Sequence, residues 1–371
     1  MTRYRYLLSA GLVVVAFAAL MPRPPVQAAA GIDTLPDRLT DQQFWQLVED
    51  LSEPNGYFRS DNLVSNEIYF QSMLDDLLAR STQRGVYLGV GPEQNFTYIT
   101  ALEPKMVFIT DVRRGNLWTQ LMYKALFELS ADRAEFVSRL FTKPRPDGLD
   151  EDSTASEIIN AFWDPSVVTS ASDVYERNAK DIVDLLTVTH ALPLAEQDIR
   201  GIIDSVYYNF YWFGPSITYS SSSTSNGGRR GGNFVNWADL MIATDDAGVE
   251  RSFLASKEHF QFMKNLESRN LVVPIVGNFG GKTALRAVGQ YIRDHEATVS
   301  AMYLSNVEQY LEQDNLWRAF CANVATMPLD ASSTFIRSSQ NRGGGGGRGG
   351  GLVNSLGSMQ AETQGCRSTA R

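Results

Sequence analysis

The stretch of sequence that decides the fold is Gly85-Val86-Tyr87-Leu88-Gly89-Val90-Gly91-Pro92-Glu93-Gln94-Asn95-Phe96. It predicts a short apolar strand, a tight turn with two glycines, and the beginning of a helix. A second apolar run, Met106-Val107-Phe108-Ile109, follows and leads to Asp111. A strand, a Gly-x-Gly turn, a helix and a second strand ending in an acid are typical of the nucleotide-binding half of a Rossmann-like sheet.

The order of strand and helix signals returns near the C-terminus. Residues 271–276 predict a strand, 282–294 a helix and 298–304 a further strand. Alternating strands and helices predict parallel pairing through right-handed crossovers. We therefore expect an α/β fold, Rossmann-like and methyltransferase-type, with a mostly parallel sheet, helices on both faces and a helical insertion at about residues 147–236. Pro274 cannot donate to a ladder, so its strand is expected at an edge or bulged.

The two ends of the chain differ in composition from the middle. Residues 1–30 contain basic residues, then an apolar run, then small residues typical of a signal-peptidase cleavage site. This pattern predicts a signal peptide, and the alternative is an uncleaved N-terminal membrane anchor. We therefore expect an exported protein, periplasmic or extracellular. The Rossmann-like domain is predicted over 31–337, and residues 338–371, with the glycine run at 343–351, are predicted to be a disordered tail.

Charge and residue usage restrict the class of partner. The formal net charge is −9, whereas a nucleic-acid-binding protein is usually basic, so we expect a small-molecule ligand and no nucleic acid. The three histidines have no metal-ligand spacing, and no metal site is expected. The two cysteines, Cys321 and Cys366, form no framework; a bridge between them is compatible with an oxidising compartment but not required. The sequence specifies no oligomeric state.

Candidate ligand-binding residues follow from the predicted strand ends. Glycines allow a ligand to approach the backbone where a Cβ would clash, and an acid can accept hydrogen bonds from ribose hydroxyls. Because the carboxyl ends of parallel strands lie along one edge, residues after the later strands join them. The predicted cofactor-binding residues are Gly89, Gly91, Glu93, Asn95, Asp111, Arg113, Asn278 and Phe279. The predicted substrate-pocket residues are Asp61, Asn62, Asn66, Glu67, Asn306 and Glu308.

The glycine turn departs from the dinucleotide-binding pattern. Gln94 stands where that pattern has a third Gly or Ala, and Glu93 beside the turn would repel a pyrophosphate. The turn is closer to the methyltransferase variant, whose adenosyl ligand has no pyrophosphate. A second glycine turn, 277–283, is one residue too short for a phosphate loop, so we expect a plain strand-to-helix turn with Lys282 exposed.

Several segments together resemble a known family. They are residues 51–67, Gly89-Val90-Gly91-Pro92-Glu93-Gln94-Asn95-Phe96, Asp111-Val112-Arg113-Arg114, 131–136, 276–279, Ser305-Asn306-Val307-Glu308-Gln309-Tyr310 and 330–337. From about residue 44 to 337, outside the helical insertion, the chain resembles an uncharacterised bacterial family grouped with S-adenosylmethionine-methyltransferase-like, Rossmann-like proteins. The resemblance implies a seven-stranded methyltransferase-type fold and does not supply a reaction.

Two functions compete at this point. In the first, the chain is an S-adenosyl-L-methionine-dependent methyltransferase-like protein that binds the adenosyl ligand at the strand carboxyl ends, which the glycine turn and Asp111 favour. In the second, an exported protein that is not a methyltransferase uses the same fold to bind another polar small molecule. The signal-like N-terminus favours the second, because adenosylmethionine is made in the cytoplasm. The internally coherent site makes the first our expectation.

Overall fold

The computed structural model describes residues 33–82, 84–163, 172–219, 221, 235–340 and 352–369. The predicted signal segment 1–30 and the glycine run 343–351 lie outside the described residues. None of the helices in the described ranges combines the length and the apolar character that crossing a bilayer requires.

A six-stranded sheet is the centre of the fold. Its strands are β1 (Val86–Gly89), β2 (Met106–Asp111), β3 (Val272–Val276), β4 (Val299–Ser305), β5 (Thr334–Gln340) and β6 (Leu352–Ser358). They lie in the order β3-β2-β1-β4-β5-β6. The first five pair in parallel, and β6 pairs antiparallel with β5. The chain is therefore an α/β protein with a mostly parallel sheet.

The burial of the strands shows how the sheet is covered. Every residue of β1, β2 and β3 is buried. Because successive side chains point to opposite faces, both faces of this part of the sheet are covered. β3 is the edge strand, which explains how Pro274 is tolerated within it.

Fifteen α-helices lie in the described residues. They are α1 (Asp41–Leu51), α2 (Leu74–Arg80), α3 (Gln94–Leu102), α4 (Arg114–Leu129), α5 (Arg133–Phe141), α6 (Ala155–Trp163), α7 (Ser172–Asp184), α8 (Glu196–Arg200), α9 (Tyr208–Phe213), α10 (Trp237–Met241), α11 (Lys257–Ser268), α12 (Ala284–Asp294), α13 (Val307–Gln313), α14 (Trp317–Val324) and α15 (Met359–Thr363). Two π-helical segments, Leu185–Thr189 and Gly201–Tyr207, extend α7 and α8. Short 3-10 turns occupy Phe70–Met73, Gly214–Ser216 and Gln364–Thr369. The crossover from β2 to β3 contains α4 to α11, so the largest helical excursion lies beside the edge strand.

The C-terminal segment is ordered where the sequence predicts disorder. β6 and α15 both lie after residue 338, and a disulfide joins Cys321 on α14 to Cys366. Arg337 on β5 also pairs with Glu362 on α15, with 2.7 Å between guanidinium nitrogen and carboxylate oxygen. The prediction of a structureless tail is corrected for residues 352–369. The strand forms because β5 supplies its hydrogen-bond partners, which the local sequence does not reveal.

We expect reduction of the disulfide to destabilise the folded chain. The bridge closes a separation of 45 residues, for which chain entropy corresponds to about 4 kcal/mol of unfolding free energy. Urea unfolding of the oxidised chain, the reduced and alkylated chain and the Cys321→Ser/Cys366→Ser variant measures this loss. Equal midpoints for all three would show that the bridge does not restrain the unfolded chain.

A partly buried histidine links three segments away from the sheet edge. His190 Nδ1 lies 2.7 Å from Asp41 Oδ1 on α1, and His190 Nε2 lies 2.9 Å from Glu128 Oε2 on α4. Lys124 Nζ donates to Glu128 Oε1 at 2.7 Å. The hydrogen bond to Glu128 raises the pKa of His190, with burial and the Lys124 charge opposing it and Asp41 adding to it. The imidazolium therefore joins α1 and α4 to the segment that follows α7.

The stabilisation by His190 should decrease as pH rises. Because its folded-state pKa is raised above 6.5, the contribution is complete below that value and is lost as pH rises through the folded pKa. We expect His190→Gln to cost about 1–2 kcal/mol at pH 6, after allowance for solvent screening, and much less at pH 9. Unfolding free energies of both chains at the two pH values measure this. A cost independent of pH would show that His190 is neutral in the folded chain.

Candidate functional site

A large cavity opens at the carboxyl ends of the central strands. Its volume is about 860 Å³, within the range of small-molecule sites. It is lined by residues that follow β1, β2, β3 and β4, and by the loop that precedes the 3-10 turn at 70–73. The lining residues near the strand ends are Gly91, Pro92, Asp111, Val112, Asn278, Phe279, Ser305, Asn306 and Tyr310, and those of the loop include Tyr57, Phe58, Arg59, Asp61, Asn62, Ser65 and Asn66.

The glycine turn after β1 presents one bare backbone position to this cavity. Gly91 has φ +74°, and a Cβ built on it would meet nothing within 4 Å. The carboxamide of Asn95 closes the turn from behind, since Nδ2 donates to Val90 O at 2.9 Å and to Pro92 O at 2.7 Å. A Cβ at Gly89 would overlap Asn95 Oδ1. Gly89 and Asn95 therefore shape the turn, and Gly91 is the glycine that a ligand can approach.

The acid after β2 also faces the cavity. Asp111 Oδ1 accepts from the Arg113 backbone N–H at 2.9 Å and lies 3.4 Å from Arg113 Nε. Its second oxygen, Oδ2, accepts no hydrogen bond from the described residues and remains available to a ligand. Burial raises the pKa of Asp111, and the Arg113 charge opposes that rise. Arg113 itself points away to the carbonyl of Asp61, so it orients the acid instead of lining the cavity.

The turn after β3 is held by a carboxylate of the chain. Glu53 accepts from the backbone N–H groups of Asn278 at 2.9 Å, Thr283 at 2.9 Å and Ala284 at 3.1 Å. These amides are the groups that a phosphate would need at the beginning of a helix. Glu53 occupies that position and Lys282 is exposed, so the turn is a strand-to-helix connection and not a phosphate loop.

A buried hydrogen-bond network supports the β4 side of the cavity. Glu67 Oε1 accepts from Tyr303 at 2.8 Å and Ser305 at 2.5 Å, and Glu67 Oε2 accepts from Gln94 Nε2 at 2.9 Å. Gln94 also joins Ser65 and Tyr98. Gln94, which stands where dinucleotide-binding turns have glycine, therefore fastens α3 to the lining loop.

The structure brings eight of the fourteen predicted residues into one cavity lining. They are Gly91, Asp111, Asn278, Phe279, Asp61, Asn62, Asn66 and Asn306. The other six lie outside that lining, and each contacts another part of the chain. Gly89 and Asn95 shape the turn after β1, and Arg113 lies beside Asp111. Glu67 accepts a hydrogen bond from Tyr303, and Glu93 accepts one from the Ser65 N–H. Glu308 forms an ion pair with Arg337 at 2.5 Å.

Sequence reasoning missed the aromatic part of the lining. Tyr57 is 87% exposed beside the cavity. The Phe58 ring meets the Tyr310 ring edge-on with 5.0 Å between centroids, and Arg59 Nη2 donates to the Tyr310 hydroxyl at 3.1 Å. The signals available were two adjacent aromatics in a polar loop and a tyrosine one helical turn after Asn306.

Two of the eight described non-glycine residues with positive φ lie in the same lining. Asn62 and Ser305 have φ of +46° and +49°, a region that residues with a Cβ adopt at a cost. Such conformations persist where surrounding contacts determine them and are frequent at ligand sites. In the described residues, no group of three or more His, Cys, Asp or Glu side chains could hold a metal ion. The described lining contains hydrogen-bonding side chains and aromatic rings.

Glu93 lies directly behind the lining. It is completely buried, its Oε1 accepts from the Ser65 N–H at 3.0 Å, and its Oε2 has no hydrogen-bond partner among the described residues. Burial raises the pKa of Glu93 to about 7, against the effect of the Ser65 N–H. Glu93 therefore changes charge near neutral pH directly under the glycine turn.

Glu93 should make the folded chain less stable as pH rises. Because its folded-state pKa is raised from 4.5 to about 7, its favourable contribution is complete below pH 4.5 and is lost by about pH 7. Glu93→Gln keeps the oxygen that accepts from the Ser65 N–H but has no carboxyl group to titrate. The unfolding free energy of the variant minus that of wild type should therefore rise by about 3 kcal/mol between pH 4.5 and pH 7. Unfolding free energies at a series of pH values measure the difference.

Glu267 provides a matched comparison for this experiment. It is buried, and burial raises its pKa to about 8, so Glu267→Gln should gain stability over wild type up to a higher pH. A stability difference for Glu93→Gln that stays flat between pH 4.5 and pH 7 would contradict the buried, protonated carboxyl.

Comparison with known families assigns the chain to a family whose function is unknown. The chain matches a domain of unknown function, DUF7790, over residues 62–187 and 233–351, about two thirds of its length. The chain belongs to the DUF7790 family. A search of curated proteins finds no match. Seven of the eight predicted residues that line the cavity lie inside the matched ranges, and Asp61 immediately precedes the first range.

Proposed function

We propose that this DUF7790 protein is S-adenosyl-L-methionine-dependent and methyltransferase-like, and that it binds the adenosyl ligand in the cavity at the strand carboxyl ends. The observation that carries the proposal is that Gly91 and the free oxygen of Asp111 face one cavity together. A bare glycine turn beside an acid is the arrangement that admits a ribose-bearing molecule. Asn278 and Phe279 are the residues we assign to the base.

The strand order supports a Rossmann-like, methyltransferase-type assignment of the fold. The order β3-β2-β1-β4-β5 is that of doubly wound nucleotide-binding sheets. In such sheets the ligand lies where the order reverses, here between β1 and β4. The cavity is lined by residues that follow both of these strands, including Gly91 and Asn306.

Charge favours an adenosyl ligand over a dinucleotide or nucleotide phosphate. Among the described lining residues Arg59 is the only cation, and it is engaged with Tyr310. Asp61, Asp111 and Asp314 are the lining acids. A phosphate would be repelled by this set, whereas the sulfonium of S-adenosylmethionine carries a positive charge. The turn after β3 also disfavours a phosphate, since the Glu53 carboxylate already accepts from the backbone N–H groups that would bind an anion there.

Binding to the purified chain tests the proposal. We expect S-adenosylmethionine and its demethylated product S-adenosylhomocysteine to give calorimetric heat and a thermal shift. Asp111→Asn retains an acceptor for the Arg113 N–H and removes the charge offered to the ribose, so affinity should fall at least about tenfold. Asp76→Asn, an exposed acid on α2, is the matched control and should bind as wild type. Absence of heat and of a thermal shift with both ligands would refute the proposal.

A second function is favoured by a separate observation. The Cys321–Cys366 disulfide is typical of oxidising compartments outside the cytoplasm, where S-adenosylmethionine is not made. An exported protein that uses the same cavity for another polar small molecule accounts for it. Mass spectrometry of small molecules that copurify with the chain separates the two functions, since an adenosyl compound supports the first and a different polar compound the second.

A further inference from the structure

Four asparagines of the cavity have hydrogen-bonding capacity that the protein does not use. Asn62 and Asn66 come from the lining loop, Asn278 follows β3 and Asn306 follows β4. The carboxamides of Asn62, Asn66 and Asn306 have no hydrogen bond to any described residue. Asn278 uses only Oδ1, which accepts from the Gly280 N–H at 2.9 Å. All four residues are partly exposed and line the cavity, so their free donors and acceptors are accessible to a ligand.

Two of these amides are held on the same side of the cavity. The Glu67 carboxylate, next to Asn66 in the chain, accepts from Ser305, next to Asn306, at 2.5 Å. Tyr310 follows Asn306 by one helical turn, and Phe58 packs edge-on against Tyr310. Asn66, Asn306, Phe58 and Tyr310 therefore form a β4-side subsite, distinct from the Asp111 and Asn278 positions after β2 and β3.

The chemistry of this subsite selects hydroxyl groups. A carboxamide offers two donors and one acceptor and carries no charge, and a hydroxyl is likewise both donor and acceptor. Anionic ligands are commonly bound by several Arg or Lys side chains, whereas Arg59, the one cation among the described lining residues, donates to the Tyr310 hydroxyl at 3.1 Å. Asp61 and Asp314 in the same lining can accept from hydroxyls but repel phosphate or carboxylate. The subsite thus suits a neutral ligand with several hydroxyls.

The aromatic residues suit the remaining surface of such a ligand. Tyr57 is 87% exposed at the cavity, and Phe58 and Tyr310 lie beside it in the lining. A cyclic polyol has an apolar face of C–H groups between its hydroxyls, and exposed aromatic rings provide an apolar surface for that face. The cavity therefore offers aromatic rings for the apolar face of such a ligand and amides for its hydroxyl groups.

We propose that the β4-side subsite binds a neutral, polyhydroxylated ring compound of the sugar or cyclitol class as the second ligand of the cavity. The inference rests on the proposed function for the adenosyl ligand on the other side, and it names the class of molecule that lies next to it. Glu67 is a positioning residue, because it fixes the chain on both sides of the subsite without lining the cavity.

The test is ligand-observed NMR on the purified full chain. The probes are neutral mono- and disaccharides and myo-inositol, each compared with its own phosphate, with and without S-adenosylhomocysteine. We expect saturation transfer from at least one neutral probe and at least about tenfold weaker binding of its phosphate. Asn66→Ala and Asn306→Ala should each weaken the neutral probe about tenfold, whereas Asn265→Ala, an exposed residue of α11, should not.

A folding control and the binding pattern of the two ligands decide between the possible results. Thermal unfolding of each variant shows whether it is folded, and Asn306→Ser provides a second substitution if Asn306→Ala is not. Tighter binding of a phosphorylated probe, or saturation from no neutral probe, overturns the inference. Binding of a neutral probe without any binding of S-adenosylhomocysteine refutes the adenosyl proposal but supports this ligand class. Binding of S-adenosylhomocysteine alone does the reverse.

Discussion

The site depends on a buried carboxylate, Glu67, that is held entirely by neutral donors. Its two oxygens accept from Tyr303, Ser305 and Gln94, and the side chain is 1% exposed. A buried polar group is tolerated when its donors and acceptors have hydrogen-bond partners, because these offset the cost of removing it from water. Tyr303 and Ser305 belong to β4, and Gln94 is the first residue of α3. Satisfying one carboxylate therefore fixes the lining loop to two separate elements of the sheet edge.

The same principle operates at the other strand ends, where polar side chains of the chain complete the turns. Asn95 satisfies carbonyls of the turn after β1, and Glu53 satisfies amides of the turn after β3. The consequence differs between the two. Asn95 acts from behind and leaves Gly91 open, whereas Glu53 fills the anion position that a phosphate loop would keep vacant. Along this edge of the sheet, the turn after β1 is therefore open at Gly91, whereas the amides of the turn after β3 are bonded to Glu53. A ligand of this cavity can approach bare backbone at the first turn, while the second turn contributes Asn278 and Phe279 to the lining.

The sequence predicts the elements with local signals and misses those that depend on a partner. β1 to β4 follow from apolar runs and glycine turns, and the rule that parallel strand ends share an edge brings Gly91, Asp111, Asn278 and Asn306 together. β6, with the mixed sequence Leu352-Val353-Asn354-Ser355-Leu356-Gly357-Ser358 beside a glycine run, forms through antiparallel pairing with β5. No regular local pattern predicts that pairing. Glu67, Glu93 and Arg113 have the right residue type and position in sequence, yet the fold buries Glu67 and Glu93 behind the lining and directs Arg113 to Asp111 and the Asp61 carbonyl. Residue type predicts capacity for hydrogen bonding; only the fold determines whether that capacity is still free.

Electrostatics limits the ligand more sharply than the fold does. A doubly wound strand order is compatible with phosphates, dinucleotides and many other ligands, but the described lining has three aspartates and one arginine, a balance of charge that disfavours a phosphate. Uncharged amides add recognition without adding charge, and the chain as a whole carries −9. This balance of charge and amides favours the cationic or neutral ligands, rich in hydroxyls, that we propose. Because this argument uses only charge and unspent hydrogen bonds, it holds equally for an adenosyl ligand in the cytoplasm and for another polar molecule outside it.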